Sequence, residues 1–191
     1  YAGTRFQALG SSLKSVGGAI TKTVSLPLLA LGAGALKVAG DFEAGMSEVS
    51  AITGATGKDM QALEKQAKTL GATTKFSARD AAEGMKYFGM AGYDTNQIMS
   101  ALPSTLNLAA AGNVDLGIAC DIVSDAMTGL GMSANETTKF TDIMAATITN
   151  SNTSVELMGE TLKYVGPVAG TLGIGMGDLS VAIGLMGNAG I

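Results

Sequence analysis

Gly92-Tyr93-Asp94-Thr95-Asn96-Gln97, then Gly131-Met132-Ser133-Ala134-Asn135-Glu136, and more loosely Gly173-Ile174-Gly175-Met176-Gly177-Asp178 repeat one pattern about forty residues apart. Each copy is a glycine, an apolar residue, a capping-type residue and, three positions on, an acid or amide. The glycine can close a helix in the left-handed conformation, with the apolar residue packing back on the last turn. The polar residue then caps a second helix, and Gln97 or Glu136 can reach back to complete a capping box. In the third copy glycine replaces the polar cap, so a weaker cap is expected there. Each copy therefore reads as one helix end joined to the next helix start.

A period near forty residues is the size of a helical-hairpin repeat. The apolar spacing agrees, because Ile118, Ile122, Asp125, Leu130 and Leu162, Val165, Ala169, Leu172 step by threes and fours, with Asp125 as the polar exception. No stretch alternates with period two. The expected fold is all-α, with helical hairpins joined by glycine and cap turns and no sheet.

The 191 residues contain 27 glycines and 11 methionines, only 5% aromatics, and neither histidine nor tryptophan. Helix packing must then rely on small side chains and adaptable methionines. Glycine inside a helix costs about 1 kcal/mol relative to alanine, so such an assembly is expected to lean on neighbours, as an oligomer or part of a larger chain. A first residue of Tyr1 and a stop at Ile191, where a third hairpin closes, read as a fragment.

Residues 1–40 carry Arg5, Lys14, Lys22 and Lys37 and no acid, leaving 8 basic against 16 acidic residues in the remainder. An acidic body disfavours nucleic acid along its surface, since phosphate contacts supply most of such affinity. No sequence-specific nucleic-acid binding is expected, and the four cations read as a solvated helix face.

Residues 4–24 read as an amphipathic helix with Phe6, Leu9, Leu13, Val16 and Ile20 on one side. A second helical stretch begins at Ser25-Leu26-Pro27, with proline suited to a first turn. Helical spacing continues through Asp41, Phe42, Glu43, Met46, Glu48, Val49 and Ile52 until Gly54 and Gly57 break it. Lys58 to Leu70 forms the next helix with Gly71 as its stop, and Ser77-Ala78-Arg79-Asp80 starts another with a short capping box. Pro103 is expected to kink or break the helix after Asp94 into Thr95–Leu102 and Ser104–Ala111. Asn113 and Asp115 open a further hairpin, and Asn150-Ser151-Asn152-Thr153-Ser154 is a polar loop. Two domains result: a basic and apolar segment over 1–40, and a helical domain over 41–191.

Enzymatic chemistry finds no footing. Without histidine no Ser/His/Asp or Cys/His pair exists, and zinc loses a usual ligand. Asp121 and Asp125, one helical turn apart, read as solvated face residues, and Cys120 as a buried structural thiol. Gly173 to Gly177 has the glycine density of a phosphate loop but lacks its preceding strand and its lysine, so it reads as a joint between helices. No catalytic, cofactor-binding or metal residue is expected.

On Asp41-Phe42-Glu43 with Met46 and Val49, Leu70-Gly71 through Thr74-Lys75-Phe76-Ser77-Ala78, and Ala81-Ala82-Glu83-Gly84-Met85 leading to Ala91-Gly92, the chain resembles the conserved domain of phage tail tape measure proteins. Ala101-Leu102-Pro103 with Leu106, Leu108 and Ala109, then Asn150 to Val155, and Gly187-Asn188-Ala189-Gly190-Ile191 extend the resemblance over about residues 41–191. It implies a non-catalytic, multi-copy helical protein, made in the bacterial host cytoplasm and housed in the tube lumen or baseplate of a phage tail or of a phage-tail-like contractile injection particle. It would support tail length determination, assembly and ejection. The implied partners are tail tube and baseplate hub or tail-tip proteins, with host membrane contact on ejection.

A straight helix of all 191 residues would reach only about 290 Å at ~1.5 Å per residue, so an anchoring or assembly domain is expected here and the ruler elsewhere. A central protein tends to match the threefold or sixfold axis around it, which favours a trimer, then a hexamer. Gly166, Ala169, Gly170 and Gly173 could allow close helix approach on that axis, or could serve tight packing within one chain. The rival reading is a membrane-active pore-former, drawing on the uncharged stretches 23–36 and 179–191, each short of the ~20 residues that span a bilayer.

Overall fold

The structure, a computed structural model, describes the backbone from Leu26 to Ile191 and the side chains from Lys37 onward. The amphipathic helix expected over residues 4–24 lies outside the described residues, as do Arg5, Lys14 and Lys22. Two compact units divide the chain, Tyr1–Glu43 and Ala44–Ile191.

Eight α-helices and no strand occur among the described residues: α1 Leu26–Thr53, α2 Gly57–Thr73, α3 Ala78–Met90, α4 Thr95–Gly112, α5 Leu116–Gly129, α6 Thr137–Asn150, α7 Val155–Leu172 and α8 Met176–Asn188. The fold is all-α, as its periodicity requires. Leu26 to Thr53 is a single helix of 28 residues, with Pro27 near its start.

The three repeated stretches all fall at turns. Gly92, Gly131 and Gly173 have φ of 86°, 67° and 72°. In each turn the N–H of the following apolar residue donates to a carbonyl five residues back: Tyr93 to Phe88 at 3.0 Å, Met132 to Met127 at 2.8 Å, and Ile174 to Ala169 at 2.9 Å. That is the Schellman bond, and the apolar residue then lies against the helix it closes. Tyr93 shows it directly, its ring stacked on Phe88 with centroids 5.0 Å apart.

The starts of the second helices differ among copies. Asp94 accepts from the Gln97 N–H at 2.9 Å while Gln97 Oε1 accepts from the Asp94 N–H at 2.8 Å, a full capping box. Ser133 and Glu136 also form a capping box, in which Glu136 Oε2 accepts from the Ser133 N–H and hydroxyl, each at 3.0 Å. What differs here is the backbone: the Glu136 N–H donates to the Ser133 carbonyl at 2.9 Å, because a 3₁₀ turn over Ala134–Glu136 precedes α6. Gly175 makes no side-chain cap, as its lack of a side chain dictates.

Between these turns the chain returns through two others. Asn113 ends α4 in the left-handed region (φ 53°), and Asp115 Oδ1 caps α5 by accepting from the Gly117 N–H at 2.8 Å. Ser154 caps α7 in the polar loop, which the Asn152 N–H ties to Asn188 Oδ1 at 2.7 Å.

Stacking follows alternate helices. α3 packs on α5 and α5 on α7, while α4 packs on α6 and α6 on α8. The hairpins α3–α4, α5–α6 and α7–α8 thus form two helical layers, as in stacked-repeat proteins. Successive helices in each layer run parallel. Ile122 meets Gly159 and Leu130 meets Gly170 between α5 and α7; Thr147 meets Gly184 and Asn152 meets Gly187 between α6 and α8. Phe88, Met85, Ile98, Leu102, Leu116, Met127, Phe140, Met144, Met158 and Leu162 fill the space between layers, all fully buried.

Within the second unit the first hairpin is closed from the other side. A Cβ at Gly89 would lie 2.7 Å from Thr53 Cγ2, and one at Gly45 lies 3.4 Å from Ala82 Cβ. Met46 and Val49 of α1 and Leu63 and Ala67 of α2 are buried there.

Three sequence expectations are corrected. α2 does not stop at Gly71 but runs to Thr73, because Gly71 sits where the returning chain crosses at the Ala78 backbone and a side chain would collide. Pro103 does not divide α4. Proline removes the N–H that would have met the Met99 carbonyl, and Gln66 of α2 donates its Nε2 to that carbonyl at 2.7 Å. The face of α5 is also different: Ile118 is 50% exposed and Asp125 lies in solvent, whereas Leu116, Ala119, Cys120, Val123, Ala126 and Met127 face the core. Nearly every position of α5 is apolar or small, so a three-and-four series can be drawn on more than one side.

Candidate functional site

Cys120 is buried against the Gly84 position of α3, with its Sγ 2.8 Å from where a Cβ would sit. Burial pushes its thiol well above the ordinary range, and the Asp115 and Asp121 carboxylates push the same way. A thiol held protonated and covered is a packing group.

Asp121 and Asp125 lie on the solvent side of α5. Partial burial and the neighbouring Asp125 raise the Asp121 pKa, while Lys163 of α7 opposes them. No cluster of three metal-ligating side chains occurs among the described residues. Gly173 to Gly177 joins α7 to α8, with Gly173 closing one helix and Gly175 in extended backbone before the next.

The small residues of α7 are consumed inside the chain. A Cβ at Gly170 would lie 2.9 Å from the Gly129 carbonyl oxygen, Gly166 lies over Gly129 and Leu130, and Ala169 is buried. Of the two uses open to this stripe, the packing of α7 on α5 takes Gly166, Ala169 and Gly170. Gly173, by contrast, has open space around it and serves the turn.

What the fold leaves uncovered is apolar. Along α7, Leu157, Tyr164, Val165, Val168 and Leu172 are exposed; along α8, Val181 and Leu185 are 63% and 65% exposed. Between α6 and α8 a groove of ≈ 400 Å³ is lined by Ile143, Thr147, Val181, Gly184 and Leu185 among others. From residue 164 to 191 the only charge is Asp178. Exposed apolar side chains gathered along a helix face in this way mark an interaction site more often than singly scattered ones do. Spacing alone does not announce it, because the exposed Val165 and Leu172 step by threes and fours with the buried Leu162 and Ala169.

No single helix among the described residues is long and apolar enough to cross a membrane. The pair α4 and α5 passes by composition but is bent by 115°, and much of both helices lies in the core.

Comparison with known proteins places these features. Residues 64–191 match the family described as phage-related minor tail protein. The chain is 37% identical over 183 residues to the tape measure protein of Pneumococcus phage Dp-1, covering 96% of this chain and 16% of that protein. It is 28% identical over 190 residues to the probable tape measure protein of Escherichia phage P2, covering 97% of this chain and 23% of that protein. The chain thus spans less than a quarter of the length of these relatives. No solved structure matches it. With a family model covering most of the hairpin array and a relative aligned along nearly all of the sequence, the chain belongs to the phage tail tape measure family.

Proposed function

We propose that this chain is the anchoring and assembly domain of a tail tape measure protein, in the tube lumen or baseplate hub of a phage or phage-tail-like particle, and that the length-measuring segment lies elsewhere in the full protein. The observation that carries this reading is the succession of short helices. The longest described helix has 28 residues, about 42 Å at ~1.5 Å per residue, and every later one ends in a turn within 18 residues. A stacked array does not scale linearly with residue number in the way a ruler must. It presents surfaces instead, which is what nucleating a tube on a hub or tip protein requires.

The partners are tail tube and baseplate hub or tail-tip proteins, and the copy number follows the particle axis, with a trimer favoured over a hexamer. The role is structural and non-catalytic. Sequence-specific nucleic-acid binding has no part in it, since the residues after position 40 carry 8 basic against 16 acidic side chains.

The test is tail length by electron microscopy after in-frame deletions in the parent gene. Deletions outside this domain shorten the tail by about 1.5 Å per residue removed, while deletions within residues 44–191 abolish or reduce assembly without a proportional change in length. A tail that shortens in proportion to deletions inside 44–191 would overturn the division of labour.

A membrane-active role on ejection is the second reading, favoured by the uncharged end 179–191 with Val181, Leu185 and Ile191 exposed. Dye release from lipid vesicles by the chain tests it, and intact vesicles reject it.

A further inference from the structure

Set in register on Gly92, Gly131 and Gly173, the hairpins place chemically similar residues in different environments. Val123 and Ala126 of α5 and Leu130 at its end are 0%, 3% and 9% exposed, whereas Val165, Val168 and Leu172 at the same positions of α7 are 39%, 60% and 69% exposed. In the other layer Met144 of α6 is fully buried, and its counterpart Met186 of α8 is 39% exposed.

What covers the end of α5 is the next helix of its layer. Gly166 and Gly170 of α7 lie over Leu130, and Gly159 lies over Ile122. The face on α7 and α8 therefore repeats the one that the preceding hairpin buries, and both layers offer it at once. We propose that it is the seat of a fourth helical hairpin of the same repeat, supplied by the remainder of the full-length polypeptide.

Several observations select that occupant. The two relatives are far longer than the part this chain matches, 16% and 23% of their lengths, so polypeptide to form it is available in proteins of this family. Successive helices of a layer run parallel, while a two-fold axis across this face would either set α7 antiparallel to its own copy or exchange the layers and set it against the copy's α8. A second copy stacked head to tail would need a free edge on the first hairpin, and within residues 44–191 that edge is covered by α1 and α2. The near absence of charge from 164 to 191 suits burial in a core better than contact with a charged partner. The incoming hairpin is expected to lay small residues over Tyr164 and Leu172, as α7 lays Gly159 and Gly170 over Ile122 and Leu130.

Thiol labelling tests this. Val168→Cys and Met186→Cys are made separately in the full-length protein and in residues 1–191, with Asp142→Cys as an exposed reference; Cys120 is buried and stays silent in the folded chain. Both cysteines should label at the reference rate in residues 1–191, which should run as a monomer by light scattering, and at least a hundredfold more slowly than the reference in the full-length protein. Equal labelling in the two polypeptides would overturn the proposal. Protection already present in residues 1–191 together with a dimer, trimer or larger mass would overturn it in favour of further copies of this chain.

Discussion

Hairpins α3–α4 and α7–α8 share a turn and a mode of stacking, yet one is packed on both sides and the other on one. The first has α1 and α2 on one side and α5–α6 on the other; the last has α5–α6 on one side and a largely apolar exposed face on the other. The lesson is that in a stacked array a residue's environment is set by its place in the stack as much as by its own helix. Local signals repeat from hairpin to hairpin, and burial does not.

Leu130 and Leu172 make the sharpest test, because they occupy the same position relative to their turn glycines. Leu130→Ala should destabilise residues 1–191 by about 2–5 kcal/mol in chemical denaturation, the usual cost of emptying a core site. Leu172→Ala should fall within about 0.5 kcal/mol of the parent chain. Equal losses at the two sites would erase the distinction between closed and open hairpins.

A second test sharpens what closes the first hairpin. Gln66→Met leaves the Met99 carbonyl without its donor and should cost about 1–3 kcal/mol. In a Pro103→Ala background the restored N–H can serve that carbonyl, and Gln66→Met should then cost less than about 0.5 kcal/mol. A double-mutant cycle with no coupling would mean that Gln66 acts through something other than the proline.

Glycines separate by geometry in the same way. Gly131→Ala forces a side chain into the left-handed region and should cost about 1–2 kcal/mol, whereas Gly177→Ala, inside α8 with open space around it, should gain up to about 1 kcal/mol. Smallest is the missing cap of the last hairpin. Gly175→Ser recreates the Ser-x-x-Asp arrangement that Ser77 and Asp80 form at α3, and should raise stability by a few tenths of a kcal/mol. Thermal midpoints of the two variants, read against the parent, check both.

Much of the fold was legible in sequence because the turns are encoded locally. Gly92, Gly131, Gly173, Asp94, Asp115 and Ser154 work through bonds to residues within five positions. The parts that were not legible depend on distant partners. Gln66 rescues a carbonyl 33 residues away, so nothing near Pro103 announces that its helix continues. Gly71 is followed by two more helical residues because its small size serves a crossing chain rather than a stop. The uncovered face was hidden for a related reason: Val165 and Leu172 have the spacing of core residues and become core only when another hairpin arrives.

The claim on which all of this rests is that alternate helices stack, so that residues far apart in sequence touch. Gly84→Cys places a thiol on α3 where a Cβ would lie 2.8 Å from Cys120 Sγ on α5, close enough for a disulfide. Refolding of the reduced variant under oxidising conditions, followed by peptide mass spectrometry, should give a linked 84–120 pair within one chain. In a straight rod the two positions would stand about 54 Å apart, and a chain that oxidises without forming the internal link would contradict the stacked array.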